Sequence, residues 1–428
     1  SLIPEPSQDK PTTQIFESGS RIIDKPFKQL KDYQFPVVSD AFEKLENPLS
    51  RCMIQMPTGS GKTRVAMEII SQFLNKQNDK TTVVWLAHSA ELLEQSYQCF
   101  LEVWSHLSQK KIETVRLWGD ADIPHSLVTN TFIFGGFQKL YSIFSQNENA
   151  FNHFKDSVKL IVVDEAHRVL APTYNTVTKG ILGKSTQVLG LSATPGSSDR
   201  QHHRELARFF HDELITIKTQ NNESVISYLR SKKVLSKVTY EPIHIELNPP
   251  IRPSPKQLEY FKNFFDIHPE ILKKLSLSNI RNIEIVKRLD EECKKGGRII
   301  FFACSVKHSK QICAFLTLLG VKAAHLDGSV SKSRRENIIK KFTEGDIQLI
   351  SNFELLSTGF DAPKTDVVFI SRPTFSIVLY AQMIGRGLRG PEIGGSANCK
   401  IIDVKDNIQG YSDQDSVYDY FQEYFNVS

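Results

Sequence analysis

Short apolar runs rich in β-branched residues recur along this chain, and stretches of helical periodicity lie between them. TTVVWLAH (81–88), TFIFGGF (131–137), KLIVVDEAH (159–167) and QVLGLSATP (187–195) are of the first kind. RVAMEIISQFLNK (64–76) and SAELLEQSYQCFLEVWSHL (89–107) carry apolar residues near helical spacing. A strand that is apolar at nearly every position is buried on both faces, and the intervening helices supply the cover. The pattern therefore predicts an α/β fold of parallel sheets with helices on both faces. The 428 residues are enough for two or three such domains, at about 100–200 residues each.

The alternation fades after about residue 213. An apolar strand at Leu214–Ile217, a polar Lys-rich stretch and a helical pattern over EYFKNFFDIHPEILKKL (259–275) follow, with NPPIRPSP (248–255) as a Pro-punctuated linker. The alternation resumes with RIIFFACS (298–305), VKAAHLDG (321–328), IQLISNF (347–353), TDVVFIS (365–371) and CKIIDV (399–404). Between these lie helices such as KHSKQICAFLTLLG (307–320) and SKSRRENIIKKFTEG (331–345). We expect a flexible polar tail over 1–20, a first α/β domain over 21–215 and a second over 216–428. The first part of the second, about 216–296, reads as a partly helical connector.

Hydrophobic residues at 40% and charged residues at 24% suit a globular protein with sizeable cores. The formal charge of +5 is too mild to mark a nucleic-acid binder, so any attraction to phosphates must come from local patches. The six cysteines form no C-x-x-C pair, which predicts reduced thiols without zinc in a cytoplasmic protein, or a nuclear one in a eukaryote. No apolar run has membrane-spanning length and the N-terminus has no signal-peptide core, so no membrane partner is expected. The chain begins with Ser1 rather than Met, as a processed product or a piece cut from a longer chain does; flanking domains or partner subunits are compatible with it.

Residues 56–63 read Met56-Pro57-Thr58-Gly59-Ser60-Gly61-Lys62-Thr63. Gly59 and Gly61 let backbone N–H groups, with those of Thr58 and Ser60, close round phosphate oxygens, and the helix that follows adds its positive N-terminal end. In such a loop Lys62 reaches the β- and γ-phosphates of ATP and Thr63 ligates Mg²⁺. Met56 stands where the pattern has a small residue. A Gly/Thr turn before an amphipathic helix is the plain alternative, and the strand upstream and helix downstream favour phosphate binding.

The apolar strand at 159–163 ends at Asp164-Glu165-Ala166-His167. Ligands of open α/β sheets bind at the C-terminal ends of strands. Asp164 is placed to hold Mg²⁺, and Glu165 to position or deprotonate the attacking water. PTGSGKT, DEAH and then Ser192-Ala193-Thr194-Pro195 follow in the order of the superfamily 2 helicases, which the chain resembles over roughly residues 22–408. VVWLAHSAELLEQ and QMIGRGLR look most like the subgroup of excision-repair helicases and restriction-enzyme motor subunits.

The resemblance implies two tandem RecA-like domains with ATP and Mg²⁺ between them. Leu30-Lys31-Asp32-Tyr33-Gln34 is similar to the Q-motif, implying that Gln34 reads adenine. Gln382-Met383-Ile384-Gly385-Arg386-Gly387-Leu388-Arg389 resembles motif VI, implying that Gln382 belongs to the nucleotide site and that Arg386 and Arg389 act as arginine fingers; a basic patch touching nucleic acid is the alternative. Ser357-Thr358-Gly359-Phe360-Asp361 resembles motif V, with Gly359 and Asp361 facing the nucleotide and Thr358 the nucleic acid, although Ser351-Asn352 replaces the usual start. His167, Ser192 and Thr194 would relay closure.

Ser89 (motif Ia), Gly136 (near Ib) and Ser305 (motif IV) match segments that grip nucleic-acid phosphates. The hydroxyls could equally be helix N-caps. Arg334 and Arg335 could touch phosphate or solvate a helix face. The implied activity is nucleic-acid-stimulated ATP hydrolysis that moves along or unwinds DNA, which is favoured over RNA. A double-strand translocase that does not unwind and an ATP-switched nucleic-acid sensor remain open; a P-loop metabolic kinase is disfavoured by Q-x-x-G-R-x-x-R.

Overall fold

The computed structural model describes residues 13–17, 26–77, 80–119, 121–124, 126–127, 129–152, 155–194, 200–219, 223–264, 266–353 and 364–411. Two compact units make up the chain, with the principal boundary between Lys218 and Thr219.

In the first unit the elements run β1 (Thr13–Phe16), α1 (Gln34–Leu45), β2 (Arg51–Gln55), α2 (Lys62–Lys76), β3 (Thr82–Ala87), α3 (Ala90–Leu107), β4 (Ile112–Leu117), β5 (Thr131–Gly136), α4 (Phe137–Gln146), β6 (Val158–Asp164), α5 (Pro172–Ile181), β7 (Gln187–Ser192), α6 (Arg200–Phe209) and β8 (Leu214–Thr216). The sheet order is β1-β4-β5-β3-β6-β7-β2-β8. Every pairing is parallel except β1 on β4. Strands β3, β5 and β7 are buried at every position, which is why their sequences show no polar alternation. The core gathers Val84, Leu86, Ile133, Phe137, Ile161 and Val163 with residues of α4 and α5.

Strand β1 corrects the expectation of a tail over 1–20. Thr13–Phe16 pairs antiparallel with Ile112–Val115, and the Tyr97 hydroxyl donates to Gln14 Oε1 at 2.5 Å. The strand is too short and polar to announce itself, and its pairing energy comes from a partner about 100 residues away.

The second unit contains α7 (Val225–Ser231), β9 (Lys237–Ile245), α8 (Pro255–Phe264), α9 (Pro269–Ser276), α10 (Asn279–Lys294), β10 (Ile299–Phe302), α11 (Val306–Leu318), β11 (Ala323–Leu326), α12 (Lys332–Glu344), β12 (Leu349–Asn352), β13 (Val367–Ile370), α13 (Ile377–Ile384) and β14 (Asn398–Asp406). Its sheet, β11-β12-β10-β13-β14-β9, is parallel throughout. Both units are RecA-like α/β domains.

Two expectations for 216–296 change. Residues 237–245, read as connector, form edge strand β9, which pairs with β14 along nine residues. Its KVTYEPIHI sequence is largely exposed and contains Pro242, which a central strand would not tolerate but an edge accepts. The single helix expected over 259–275 is two, because Pro269 starts α9 and its preceding residue, His268, takes an extended ψ of 135°.

A buried ion pair ties α10 to the end of β14. Arg281 Nε donates to Asp406 Oδ1 at 2.7 Å and Nη2 to Oδ2 at 2.9 Å, both side chains being fully buried. Arg281 also donates to the Ser371 carbonyl and toward Cys304 Sγ. No described helix is long and apolar enough to cross a membrane.

Candidate active site

Strand register lines up the first unit's chemistry. Gln55 of β2 pairs with Ser192 of β7, and Asp164 of β6 pairs with Leu191. The phosphate loop, the acidic pair and Ser192 therefore share one edge of the sheet, at the strands' C-terminal ends, where open α/β sheets bind ligands.

The loop leaves β2 through Met56, whose N–H donates to the Ser192 carbonyl at 3.1 Å. Met56 is fully buried, so its side chain continues the core instead of crowding the loop; this accounts for a large residue where a small one was expected. Ser60 N–H and Oγ both bond the Pro57 carbonyl, at 3.1 and 2.6 Å. Gly59 and Gly61 take φ of +85° and +88°, values that favour glycine. Lys62 opens α2, and its ammonium folds back over the loop to the Met56 carbonyl at 3.0 Å. Thr58 lies in the loop's turn, and Thr63 follows Lys62 in the first turn of α2.

Gln34 is the first residue of α1 and is buried. Its Oε1 accepts from Lys31 N–H at 2.9 Å. Its amide nitrogen sits so close to Gly61 that a Cβ there would collide with it. The glutamine and the phosphate loop are thus one packed assembly.

Glu165 adopts φ of +53°, a left-handed conformation costly for a non-glycine residue, with its N–H donating to Asp164 Oδ1 at 3.0 Å. Burial, then the adjacent Glu165 charge, push the Asp164 carboxyl up to about 7, with Lys62 opposing. Burial also acts upward on Glu165, but surrounding positive groups, Lys62 among them, hold it below the ordinary range. His167, pushed down to about 4 by burial, is neutral near pH 7, so Lys62 is the more dependable counter-charge for Glu165 there. His167 Nδ1 lies 3.4 Å from Glu165 Oε2 and 3.2 Å from Ser192 Oγ. Ser192 Oγ donates to the Thr194 carbonyl at 2.6 Å. DEAH and the segment after β7 are therefore joined through one imidazole.

A divalent cation suits this donor set. Asp164 supplies a hard carboxylate oxygen and Thr63 a hydroxyl, and a positive ion beside two carboxylates would reverse the repulsion that lifts Asp164. No motif includes His202, on α6, whose Nε2 lies 3.1 Å from the His167 carbonyl. Its only sequence signal is proximity to Ser192–Thr194.

The hydroxyls assigned to nucleic acid do cap helices. Ser89 Oγ accepts from Leu92 N–H at 3.3 Å to start α3. Ser305 Oγ accepts from His308 N–H at 3.1 Å to start α11 of the second unit. Gly136 ends β5 in register with Ala87 of β3, so Gly136 and Ser89 share the active edge of the first sheet. In the second unit Gln382 is buried on α13, and Arg386, just beyond it, donates from Nε to the Gln382 carbonyl at 3.3 Å. The Arg389 carbonyl accepts from Ser236 Oγ at 2.6 Å. Thr358, Gly359 and Asp361 lie outside the described residues.

Residues 27–197 match the family described as the res subunit of Type III restriction enzymes, and residues 281–390 match the helicase conserved C-terminal domain. IRC3 of Saccharomyces cerevisiae, named as an ATP-dependent helicase, is 23% identical over 393 residues, 87% of this chain and 51% of that protein. Its namesake in Schizosaccharomyces pombe, named as mitochondrial, is 26% identical over 410 residues, covering 92% and 60%. The chain thus spans about half to three fifths of these relatives. Among solved structures, the Type ISP restriction-modification enzyme LlaBIII bound to DNA matches with a TM-score of 0.61 at 17% identity, over 90% of this chain and 28% of that one. The Hef helicase domain of Pyrococcus furiosus matches at 0.52 and 16% identity, over 91% and 97%.

Proposed function

This chain belongs to the superfamily 2 helicases and translocases, an ATPase related to the restriction-enzyme motor subgroup, and from that premise we propose that it hydrolyses ATP with Mg²⁺ to move along DNA. The observation that carries the reading is the single row of Lys62, Asp164–Glu165 and Ser192 on one sheet edge. DNA is favoured over RNA because the restriction-enzyme likeness extends to LlaBIII, solved on DNA; RNA-helicase relatives keep RNA as the second substrate class.

In this mechanism the loop N–H groups and Lys62 hold the β- and γ-phosphates, and Gln34 reads adenine beside Gly61. Thr63 and Asp164 hold Mg²⁺, which supplies charge neutralisation at the phosphate oxygens. Glu165 orients the attacking water and accepts its proton. Arg386 and Arg389 of the second domain stabilise the charge that develops on the transferred phosphoryl group, a role worth about 10³–10⁵ in rate where it is supplied. This assignment is supported by the Q-x-x-G-R-x-x-R resemblance, and that of Gly359, Asp361 and Gln382 by the same family likeness. Ser89, Gly136, Ser305 and Thr358 contact phosphates and give no sequence reading. His167, Ser192 and Thr194 pass the hydrolysis state toward that track.

ATPase rates measured with single- and double-stranded DNA and RNA test the reading, with Lys62→Ala as control. We expect stimulation by DNA and none in the variant. Full activity of Lys62→Ala would refute the site. Strand displacement beside triplex displacement separates unwinding from double-strand translocation.

A further inference from the structure

The turn that carries DEAH is closed by its own backbone except at one carbonyl. Arg168 N–H donates to the Glu165 carbonyl and Val169 N–H to that of Ala166, both at 3.0 Å, and Ala171 N–H to that of Arg168 at 2.9 Å. This series passes over the His167 carbonyl, which accepts instead from Nε2 of His202 on α6 at 3.1 Å. A carbonyl can only accept, so Nε2 carries the proton in this bond. His202, Leu206 and Phe210 are spaced four apart and share one helical face. Leu206 and Phe210 are buried in the core of the first unit. Phe210 and Ala166 both border the space where a Cβ on Gly190 of β7 would stand. The same face of α6 that is anchored in the core therefore presents the His202 imidazole to the DEAH turn.

We propose that His202 is a positioning residue for ATP hydrolysis, acting on Glu165 through His167. The inference rests on the reading above, that Glu165 orients the attacking water. Glu165 keeps φ of +53°, a conformation that persists only where the surroundings enforce it. The segment after β7 holds His167 at two points. Ser192 Oγ lies 3.2 Å from the imidazole, and His202 takes the carbonyl. His167 Nδ1 in turn lies 3.4 Å from Glu165 Oε2. Without the His202 donor the His167 peptide loses one of these two anchors, and the imidazole beside Glu165 shifts with it. The phosphate loop is fixed separately, by Met56 N–H on the Ser192 carbonyl, so nucleotide affinity does not depend on His202.

The test is single-turnover ATP hydrolysis by the full chain, on oligothymidylate and on oligouridylate, beside titration of a ribose-labelled fluorescent ADP. His202→Leu removes the donor, and His202→Asn keeps a polar amide too short to place one at the Nε2 position. Both should lose about 10- to 100-fold in hydrolysis rate, the scale on which a misplaced reacting group costs turnover, with ADP affinity unchanged. His202→Gln, whose longer amide reaches the Nε2 position, should return to within about threefold of wild type. A merely structural role would weaken ADP binding along with the rate and would not separate glutamine from asparagine. A wild-type rate in His202→Asn, a parallel loss of ADP affinity, or equal rates for His202→Gln and His202→Asn would overturn the proposal. The same substitution in a Glu165→Gln background separates the inference from its premise. If His202 acts through Glu165, His202→Asn should slow the residual rate of that variant no further. A further loss as large as in wild type would overturn the positioning role and leave Glu165 catalytic, whereas a Glu165→Gln protein at the wild-type rate would refute the reading of Glu165 itself.

Discussion

Replacing Gly61 with alanine probes the packed assembly of Gln34 and the phosphate loop. Gly61 has φ of +88°, and a left-handed L-residue costs roughly 1–2 kcal/mol. The new Cβ would also collide with the Gln34 amide, which must move and give up its bond from Lys31 N–H, worth about 1 kcal/mol. Together these come to about 2–3 kcal/mol, or roughly 30- to 150-fold in affinity at tenfold per 1.4 kcal/mol. Titration of a ribose-labelled fluorescent ADP should show that loss. In a Gln34→Ala background the collision is gone and only the backbone cost remains, so Gly61→Ala should weaken binding by about 5- to 30-fold. A loss under about threefold, or the same loss in both backgrounds, would show that the glycine is not required for the reason given.

Arg386→Ala should retain nucleotide binding and lose at least about 10³ in nucleic-acid-stimulated turnover; unchanged turnover would remove the finger role. Asp406→Ala leaves the buried Arg281 guanidinium without its carboxylate, which costs about 3–5 kcal/mol and should lower the second unit's calorimetric transition by about 6–20 °C. Arg281→Met combined with Asp406→Leu should recover most of that, and a double variant no better than the single would contradict the account. Burial, with further influence from Asp406, raises the Asp403 carboxyl to about 7. Between about pH 4 and that value the native state keeps a proton the unfolded chain has released, so stability falls as pH rises through the window and levels off above it. Asp403→Asn lacks this decline: urea unfolding should show it gaining on wild type from pH 5 to pH 8, by up to about 1.4 kcal/mol per pH unit across the window, and a constant difference would refute the burial argument.

Much of the active edge was legible because its signals are local. The β3, β5, β6 and β7 runs are apolar at nearly every position because both faces are covered. Gly59 and Gly61 mark positive φ, and Asp164-Glu165 marks a strand end. Strands β1 and β9 were not legible. Each lies at a sheet edge, exposes much of its surface and owes its place to a distant partner, Ile112–Val115 for one and Asn398–Asp406 for the other. The break at Pro269 was written in the sequence, but the helical periodicity on either side of it masked it.

The amino-acid order alone determined which segments could hold phosphate, carboxylate chemistry and helix caps, since each depends on a few neighbouring residues and their backbone preferences. Only the tertiary structure decided which segments meet. Strand β2 comes early in the chain yet lies beyond β7, and that order brings Met56 to the Ser192 carbonyl and the imidazole of His167 to the Ser192 hydroxyl. Periodicity records which faces of a strand are buried, but the neighbour that buries them is chosen by packing between residues more than 100 positions apart, and nothing local encodes that choice.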